Sequence, residues 1–198
     1  MSKTIPTPVG KAYYPRIDTP DTKFNPDGVY SCKLHVSEGD YNSFELKIND
    51  IVEQAYKEEC SRRNVTSLRR VPTSPLKKTA DGDYEIYAKQ VAKKDTRKGL
   101  LTFSVSVFDA KGNKLSEIPK VGSGSTLKMG VEVFPYYTDL NGFGYSLRLK
   151  AIQIIDLVEY NAGDASSFGF SSEEGFTSDG ESLTEAFEDE KTLEHAPF

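Results

Sequence analysis

Cationic side chains that could hold phosphate groups are concentrated in two parts of the chain. Residues 61–80 contain six bases and no acid, and a second group surrounds residues 93–99. Six like charges without a counter-charge repel one another unless a polyanion is near, so residues 61–80 favour nucleic acid as a ligand. The candidate phosphate contacts are Arg62, Arg63, Arg69, Arg70, Lys77, Lys78, Lys89, Lys93, Lys94, Arg97 and Lys98.

Aromatic residues near these lysines and arginines could stack on nucleobases. A cationic groove combined with stacking rings binds single strands with little regard to sequence, and each stacked base contributes about 1 to 3 kcal/mol. The candidates are Tyr13, Tyr14, Tyr84, Tyr87, Phe134, Tyr136, Tyr137, Phe143 and Tyr145. Tyrosines that alternate along a strand also pack in a core or across strands, and lysine-rich turns are often only solvated. Both explanations stay open for each residue.

The residues that catalysis needs are sparse. Only His35 and His195 could activate a serine or cysteine nucleophile, and residues 122–126 lack the lysine of a phosphate-binding loop. Cys32 and Cys60 are too isolated for a disulfide framework or a zinc site. We therefore predict a non-catalytic protein without cofactor or metal. A metal-dependent nuclease stays an alternative only if scattered carboxylates converge in three dimensions.

Strands must position most of these side chains. Period-two alternation predicts strands at residues 11–17, 29–36, 83–92, 100–109, 126–137 and 145–160, joined mostly by turns that include residues 93–99. One helix, from about residue 41 to 62, has an apolar stripe that would face the sheet. Prolines 72 and 75 make residues 61–80 a loop. The predicted fold is mainly β: an OB-fold-like, five- to six-stranded antiparallel Greek-key barrel with one capping α-helix.

Residues 161–198 are opposite in charge to the rest of the chain. They carry ten acids and one base, a formal −9, whereas residues 1–160 carry +4. We predict a binding domain at 1–160 and a disordered acidic tail at 161–198, which could compete with a polyanion for the cationic surface. With no long apolar run and no signal-peptide pattern, the expected location is soluble and intracellular.

Several segments, taken in order along the chain, resemble the corresponding segments of one known protein family. Residues 108–119 and 122–128 resemble the single-stranded DNA-binding proteins of T7-like phages, as do residues 25–30, 75–77, 134–136 and 146–159. The resemblance covers most of the chain and implies an oligonucleotide-binding barrel, a homodimer, and a role in phage DNA replication, recombination and repair. It also implies the cytoplasm of the infected bacterial host as the location.

The resemblance implies roles for particular residues as well. Tyr136 matches a DNA-contacting tyrosine of the family, Lys3 an N-terminal basic contact, and Phe198 a terminal aromatic. A family lysine falls on Glu85, so Lys89 is the nearest substitute, and without tryptophan Tyr137 would supply further stacking. In the family the tail occupies the DNA groove and contacts the phage DNA polymerase and helicase-primase. The implied tail contacts are Phe187, Glu188, Asp189, Glu190 and Phe198.

An interaction adaptor remains the main alternative to DNA binding. In that case the tail phenylalanines would anchor in a partner's hydrophobic pocket while neighbouring acids met its basic rim, and the barrel would bind no nucleic acid.

Overall fold

A computed structural model of the chain describes residues 4–97, 99–159 and 171. All of these except Ser171 belong to the structural unit Met1–Asn161. The predicted contacts Lys3, Lys98, Phe187, Glu188, Asp189, Glu190 and Phe198, together with the predicted disorder of the tail, lie outside the described residues.

Within these residues the chain forms ten strands and one helix. The elements are β1 (Thr4–Pro6), β2 (Gly10–Asp21), β3 (Val29–Val36), α1 (Glu38–Arg63), β4 (Leu76–Lys78), β5 (Tyr84–Val91), β6 (Lys93–Thr96), β7 (Gly99–Thr102), β8 (Ser106–Phe108), β9 (Thr126–Thr138) and β10 (Gly142–Asp156). Helix α1, with 26 residues, is not apolar enough to cross a membrane, and no other helix occurs among the described residues.

Five strands close into a ring in the order β2, β3, β5, β10, β9 and back to β2. Four of the five pairings are antiparallel, and the pairing of β5 with β10 is parallel. The prediction of a wholly antiparallel barrel is therefore wrong. An odd number of strands cannot alternate in direction all the way around a closed ring, so at least one neighbouring pair must be parallel.

The hydrophobic core fills the ring and continues under the helix. Strand residues such as Leu34, Ile86 and Leu149 are fully buried there, and Phe44 and Ile48 of α1 pack against them. Alternation explains the arrangement, because every second residue of a strand points to the same side. The outward residues of the same strands are left to form a surface.

The helix differs from its predicted bounds for local reasons. It begins at Glu38 because the Ser37 side chain caps it by accepting a hydrogen bond from the backbone N–H of Asp40, at 3.2 Å. It ends at Arg63 because Asn64 adopts a left-handed conformation, with φ of 55°. Arg62 and Arg63 therefore belong to the last helical turn and not to a loop.

The segments between β5 and β9 also differ from prediction. Residues 93–99 were expected as a turn, yet β6 and β7 pair across them as an antiparallel hairpin. Residues 100–109 were expected as one strand, but the chain leaves β7 after Thr102 and resumes as β8, which pairs with β10 in parallel. Within the predicted basic loop, β4 pairs with β5. Local alternation does not reveal where a strand breaks to change partner.

Candidate nucleic-acid interface

The outward residues of four neighbouring strands form a surface that mixes cations and rings. We call this surface the outer face and define it by Tyr13, Arg16, Ser31, Lys33, Tyr87, Lys89 and Arg148. The strand register places them side by side: Tyr13 faces Lys33, which faces Tyr87, and Arg16 faces Ser31, which faces Lys89. Lys89 also faces Arg148 across the parallel pair of β5 and β10. Phosphates and bases could therefore both find partners here.

A groove of about 230 Å³ opens on this face between β5 and β10. We call it the tyrosine groove; it is lined by Thr73, Ser74, Pro75, Tyr87, Lys89, Tyr136, Tyr145, Ser146 and Leu147. Burial raises the pKa of the Tyr87 and Tyr145 phenols, so both rings stay uncharged at neutral pH. A hydrogen bond of 3.0 Å joins the Tyr145 hydroxyl to Ser74. Neutral rings beside the Lys89 ammonium suit one base and its phosphate.

Phe134 and Arg148 extend the ring surface on the side of β9. The guanidinium of Arg148 lies 3.3 Å from the centre of the Phe134 ring, a cation–π contact. Phe134 is 37% exposed, so part of its ring stays in contact with solvent. A phosphate on Arg148 would thus lie beside an exposed aromatic ring.

A buried carboxylate organises the opposite edge of the outer face. Glu85 is only 4% exposed, and the ammonium groups of Lys33 and Lys77 each lie 3.2 Å from one of its oxygens. Burial opposes ionisation of Glu85, but these two cations outweigh it and hold its pKa below the ordinary value. His35 lies 3.7 Å from Glu85 and stacks on Tyr13 with ring centres 3.9 Å apart.

Counter-charges for the predicted basic loop come from helix α1. Arg62 and Arg63 both lie 2.6 Å from carboxylate oxygens of Glu59, and Arg63 also covers the Tyr137 ring at 3.5 Å. The assumption that the six basic residues of 61–80 lack counter-charges is therefore wrong, because the fold brings acidic residues from outside this segment into contact with several of them.

Arg70 is held even more firmly to the helix. It donates two hydrogen bonds, of 2.7 and 2.8 Å, to the two carboxylate oxygens of Glu53 and lies 4.0 Å above the Tyr56 ring. Among the predicted phosphate contacts, those with no carboxylate partner in the described part of the chain are Arg69, Lys78, Lys89, Lys93, Lys94 and Arg97. Lys78 contacts the Tyr84 hydroxyl at 3.3 Å, and Lys93, Lys94 and Arg97 lie on the β6–β7 hairpin.

The predicted stacking residues divide in the structure. Tyr136 lines the tyrosine groove, whereas Tyr137 lies beneath Arg63. The suggestion that Phe143 stacks on bases is wrong, because it is 3% exposed and packs edge-on against Tyr56. Tyr84 is engaged by Glu38 and by the ring of Tyr41.

Four cationic or aromatic residues of the interface escaped the sequence-based prediction. Arg16, Lys33 and Arg148 lie on the outer face, and Phe24, at 88% exposed, projects from the loop between β2 and β3. A signal for Arg148 was present: Leu147 and Leu149 alternate with it, so it had to point away from the core. No comparable pattern marks Phe24, because loop exposure does not follow a period.

Acidic and sulfur side chains do not gather as metal ligands in residues 4–97 and 99–159. No group of three or more His, Cys, Asp or Glu side chains there is placed to hold an ion. The carboxylates described above are instead paired with lysine and arginine.

Comparison with known proteins gives a consistent set of matches. The sequence model of the family described as "Single-stranded DNA-binding protein, Bacteriophage T7" matches residues 9–157. The single-stranded DNA-binding protein of Enterobacteria phage T3 is 27% identical over 167 residues, which cover 76% of this chain and 72% of that protein. That of Escherichia phage T7 is 26% identical over 87 residues, or 43% of this chain and 38% of that protein.

Two solved structures share the fold. The crystal structure of gp2.5, a single-stranded DNA-binding protein encoded by bacteriophage T7, matches with a TM-score of 0.70 and 23% identity over 89% of this chain and 99% of that chain. The single-stranded DNA-binding protein of bacteriophage Enc34 in complex with ssDNA matches with a TM-score of 0.54 and 13% identity over 79% and 88% of the two chains.

Proposed function

The chain belongs to the family of the bacteriophage T7 single-stranded DNA-binding protein, and we propose that it is a non-catalytic protein that coats single-stranded DNA. The observation that carries the proposal is the outer face, where Lys89 and Arg148 lie side by side next to the tyrosine groove. Cations along a groove hold phosphates, and rings within it stack on bases whatever their sequence.

The fold supports this surface as the binding site. We assign the ring of five strands to the Greek-key OB barrel, in which the second and third strands present the ligand-binding face. In this chain those strands are β3 and β5, which carry Lys33, Tyr87 and Lys89 outward. The loops between β2 and β3 and between β9 and β10 correspond to the two loops that also bind oligonucleotides in such barrels.

We extend the proposal to the basic residues in two classes. Lys89, together with Arg69, Lys93, Lys94 and Arg97, has a charge available to DNA, as does Lys78 beside Tyr84. Arg62, Arg63, Arg70 and Lys77 would have to leave Glu59, Glu53 and Glu85 before they could bind phosphate. Lys3 stays a proposed contact from the family resemblance.

The acidic segment 161–198 supplies regulation in this proposal. Its formal charge of −9 against +4 for residues 1–160 lets it compete with DNA for the outer face. Displaced by DNA, it would be free to bind replication proteins, including the phage DNA polymerase and helicase-primase. A homodimer acting in replication, recombination and repair in the infected cell completes the proposal, on the strength of the family resemblance.

The test is equilibrium binding of fluorescent oligo-dT, with unlabelled duplex as competitor, by the full chain and by residues 1–160 across a salt series. We expect tight, salt-sensitive binding that resists duplex and strengthens when the acidic segment is removed. If neither form binds oligo-dT, the proposed function is wrong and a protein-binding adaptor takes its place. Equal affinity of the two forms would reject the competing segment alone.

A further inference from the structure

We propose that the tyrosine groove receives one unstacked nucleobase, and that Gly144 is the residue that positions the Tyr136 ring as its wall. The inference rests on the proposed single-strand binding and adds a defined pocket for a base within that surface. Stacking on an open face would need only exposed rings, whereas the groove has walls from residues 73–75, from β5 and from the paired strands β9 and β10.

Gly144 lies directly opposite Tyr136 in the pairing of β9 with β10. A Cβ atom built on Gly144 would lie 2.9 Å from both the Cζ and the Oη atoms of Tyr136 and 3.0 Å from Cγ2 of Val71. Real Cβ contacts are essentially never that short, so the Tyr136 ring occupies space that only glycine leaves free. The position of this ring therefore depends on the absence of a side chain at residue 144.

The backbone at Gly144 does not itself demand glycine. Its φ is not in the left-handed region, unlike that of Gly142 at 92°. An alanine at 144 would thus act on the Tyr136 ring and on Val71 without imposing backbone strain. The far end of a tyrosine side chain can swing away, which makes Gly144→Ala a change of ring position in a folded protein.

The groove has the size and lining for a base and not for an ion. Its volume is about 230 Å³, and its lining includes the three tyrosines Tyr87, Tyr136 and Tyr145 together with Ser146. The Ser146 hydroxyl can donate or accept a hydrogen bond by rotating, so it can adapt to the edge of any base. Lys89 at the same groove supplies a cation for the attached phosphate. The pocket thus recognises that a base is present without reading which base it is.

The test combines oligo-dT affinity with the binding of a single nucleotide to the full chain. Variants Gly144→Ala, Tyr136→Ala and the double variant are compared by oligo-dT titration. In parallel, amide NMR shifts of the wild type are followed with dTMP and with deoxyribose 5-phosphate, which carries the phosphate but no base. Gly39→Ala is the matched control, because a Cβ at Gly39 has no neighbour within 4 Å.

We expect Gly144→Ala and Tyr136→Ala each to weaken oligo-dT binding by about 5- to 150-fold, the range set by one stacked base. The double variant should bind no worse than Tyr136→Ala, because both changes remove the same wall. In the wild type, dTMP should shift groove amides more than the sugar phosphate does, and Gly144→Ala should abolish that difference. Gly39→Ala should behave like the wild type.

Three results would each overturn the pocket without overturning the proposed single-strand binding. They are additive losses of affinity in the double variant, normal binding by Gly144→Ala, and equal amide shifts from dTMP and deoxyribose 5-phosphate. Absence of oligo-dT binding by the wild type would overturn the proposed function as well. Because Gly144→Ala also presses on Val71, Ser146→Leu provides a second variant that fills the groove and leaves Gly144 and Tyr136 unchanged. Wild-type affinity and dTMP shifts in Ser146→Leu would likewise reject the pocket.

Discussion

Replacing Lys89 with glutamine should weaken single-strand binding in a salt-dependent way. Lys89 is exposed, lines the tyrosine groove beside Arg148, and has no carboxylate partner among the described residues. Its charge is therefore available to a phosphate. Lys150, also outward on β10, lies 3.0 Å from Glu132 and is the matched control, because its charge is already balanced by that carboxylate.

The size of the effect follows from counterion release. Each phosphate contact with a single strand contributes about 0.7 to the slope of log affinity against log salt, so Lys89→Gln should lower the slope by about 0.7. If the contact contributes little at 1 M salt, the same slope makes the variant about fivefold weaker at 0.1 M. Lys150→Gln should change the slope by much less, because any phosphate must first displace Glu132.

The assay is oligo-dT titration of both variants from about 0.05 to 0.5 M salt, with melting curves to confirm that each is folded. A Lys89→Gln slope equal to that of the wild type would refute the reasoning. So would an equal loss of slope in Lys89→Gln and Lys150→Gln, since pairing would then have no bearing on which cation binds DNA.

Three further predictions separate residues that hold the fold from residues that bind. Arg70→Ala should lower the free energy of unfolding by about 1 to 2 kcal/mol, because it removes the half-exposed pair with Glu53 and the contact with Tyr56, and it should leave oligo-dT affinity almost unchanged. Arg69→Ala should instead weaken oligo-dT binding and leave the stability almost unchanged. A binding loss confined to Arg70→Ala would contradict this division. Since the folded-state pKa of Glu85 lies below its ordinary value of 4.5, its ion pairs add stability above that pH, and this stability is lost as the pH falls through the lowered pKa. The free energy of unfolding by denaturant, measured across roughly pH 3 to 5, should therefore depend less on pH in Glu85→Gln than in the wild type. An unchanged pH profile would show that the Glu85 ion pairs do not stabilise the fold. Phe24→Ser should leave stability within about 0.5 kcal/mol while reducing oligo-dT affinity, since the ring is 88% exposed on the β2–β3 loop, which is proposed to bind DNA. Leu46→Ser, at an exposed helix position, is the control, and equal affinities of the two variants would remove Phe24 from the proposed interface.

The strands with strict alternation could be predicted from the sequence. Strand β3 has the predicted bounds, Val29–Val36, because Cys32 and Leu34 alternate with polar neighbours. The parallel pairing of β5 with β10 could not be predicted in this way. It arises from the closure of a five-membered ring, a property of the whole sheet and not of any segment.

The structure brings together some of the residues that the sequence proposes for the site and separates others. Tyr136 and Lys89 do line one groove, but Arg70 was grouped with the free cations because its partner, Glu53, lies 17 residues earlier on the helix. The pairing of Arg62 and Arg63 with Glu59 was readable, since three and four residues separate neighbours on a helix face. Phe143 was grouped with the stacking rings although it lies an even number of residues before Leu147 and Leu149, and this alternation turns its ring inward.

Crosslinking of a photoreactive single strand to the full chain tests the central claim most directly. Oligo-dT containing 5-iodouracil is irradiated with the protein, and the modified residues are identified by mass spectrometry, with unlabelled single strand and duplex as competitors. The outer face and its groove predict adducts at Tyr87, Tyr136, Tyr145 or Phe134 that unlabelled single strand suppresses and duplex does not. Adducts confined to the exposed side of helix α1, or none that single strand suppresses, would contradict the account.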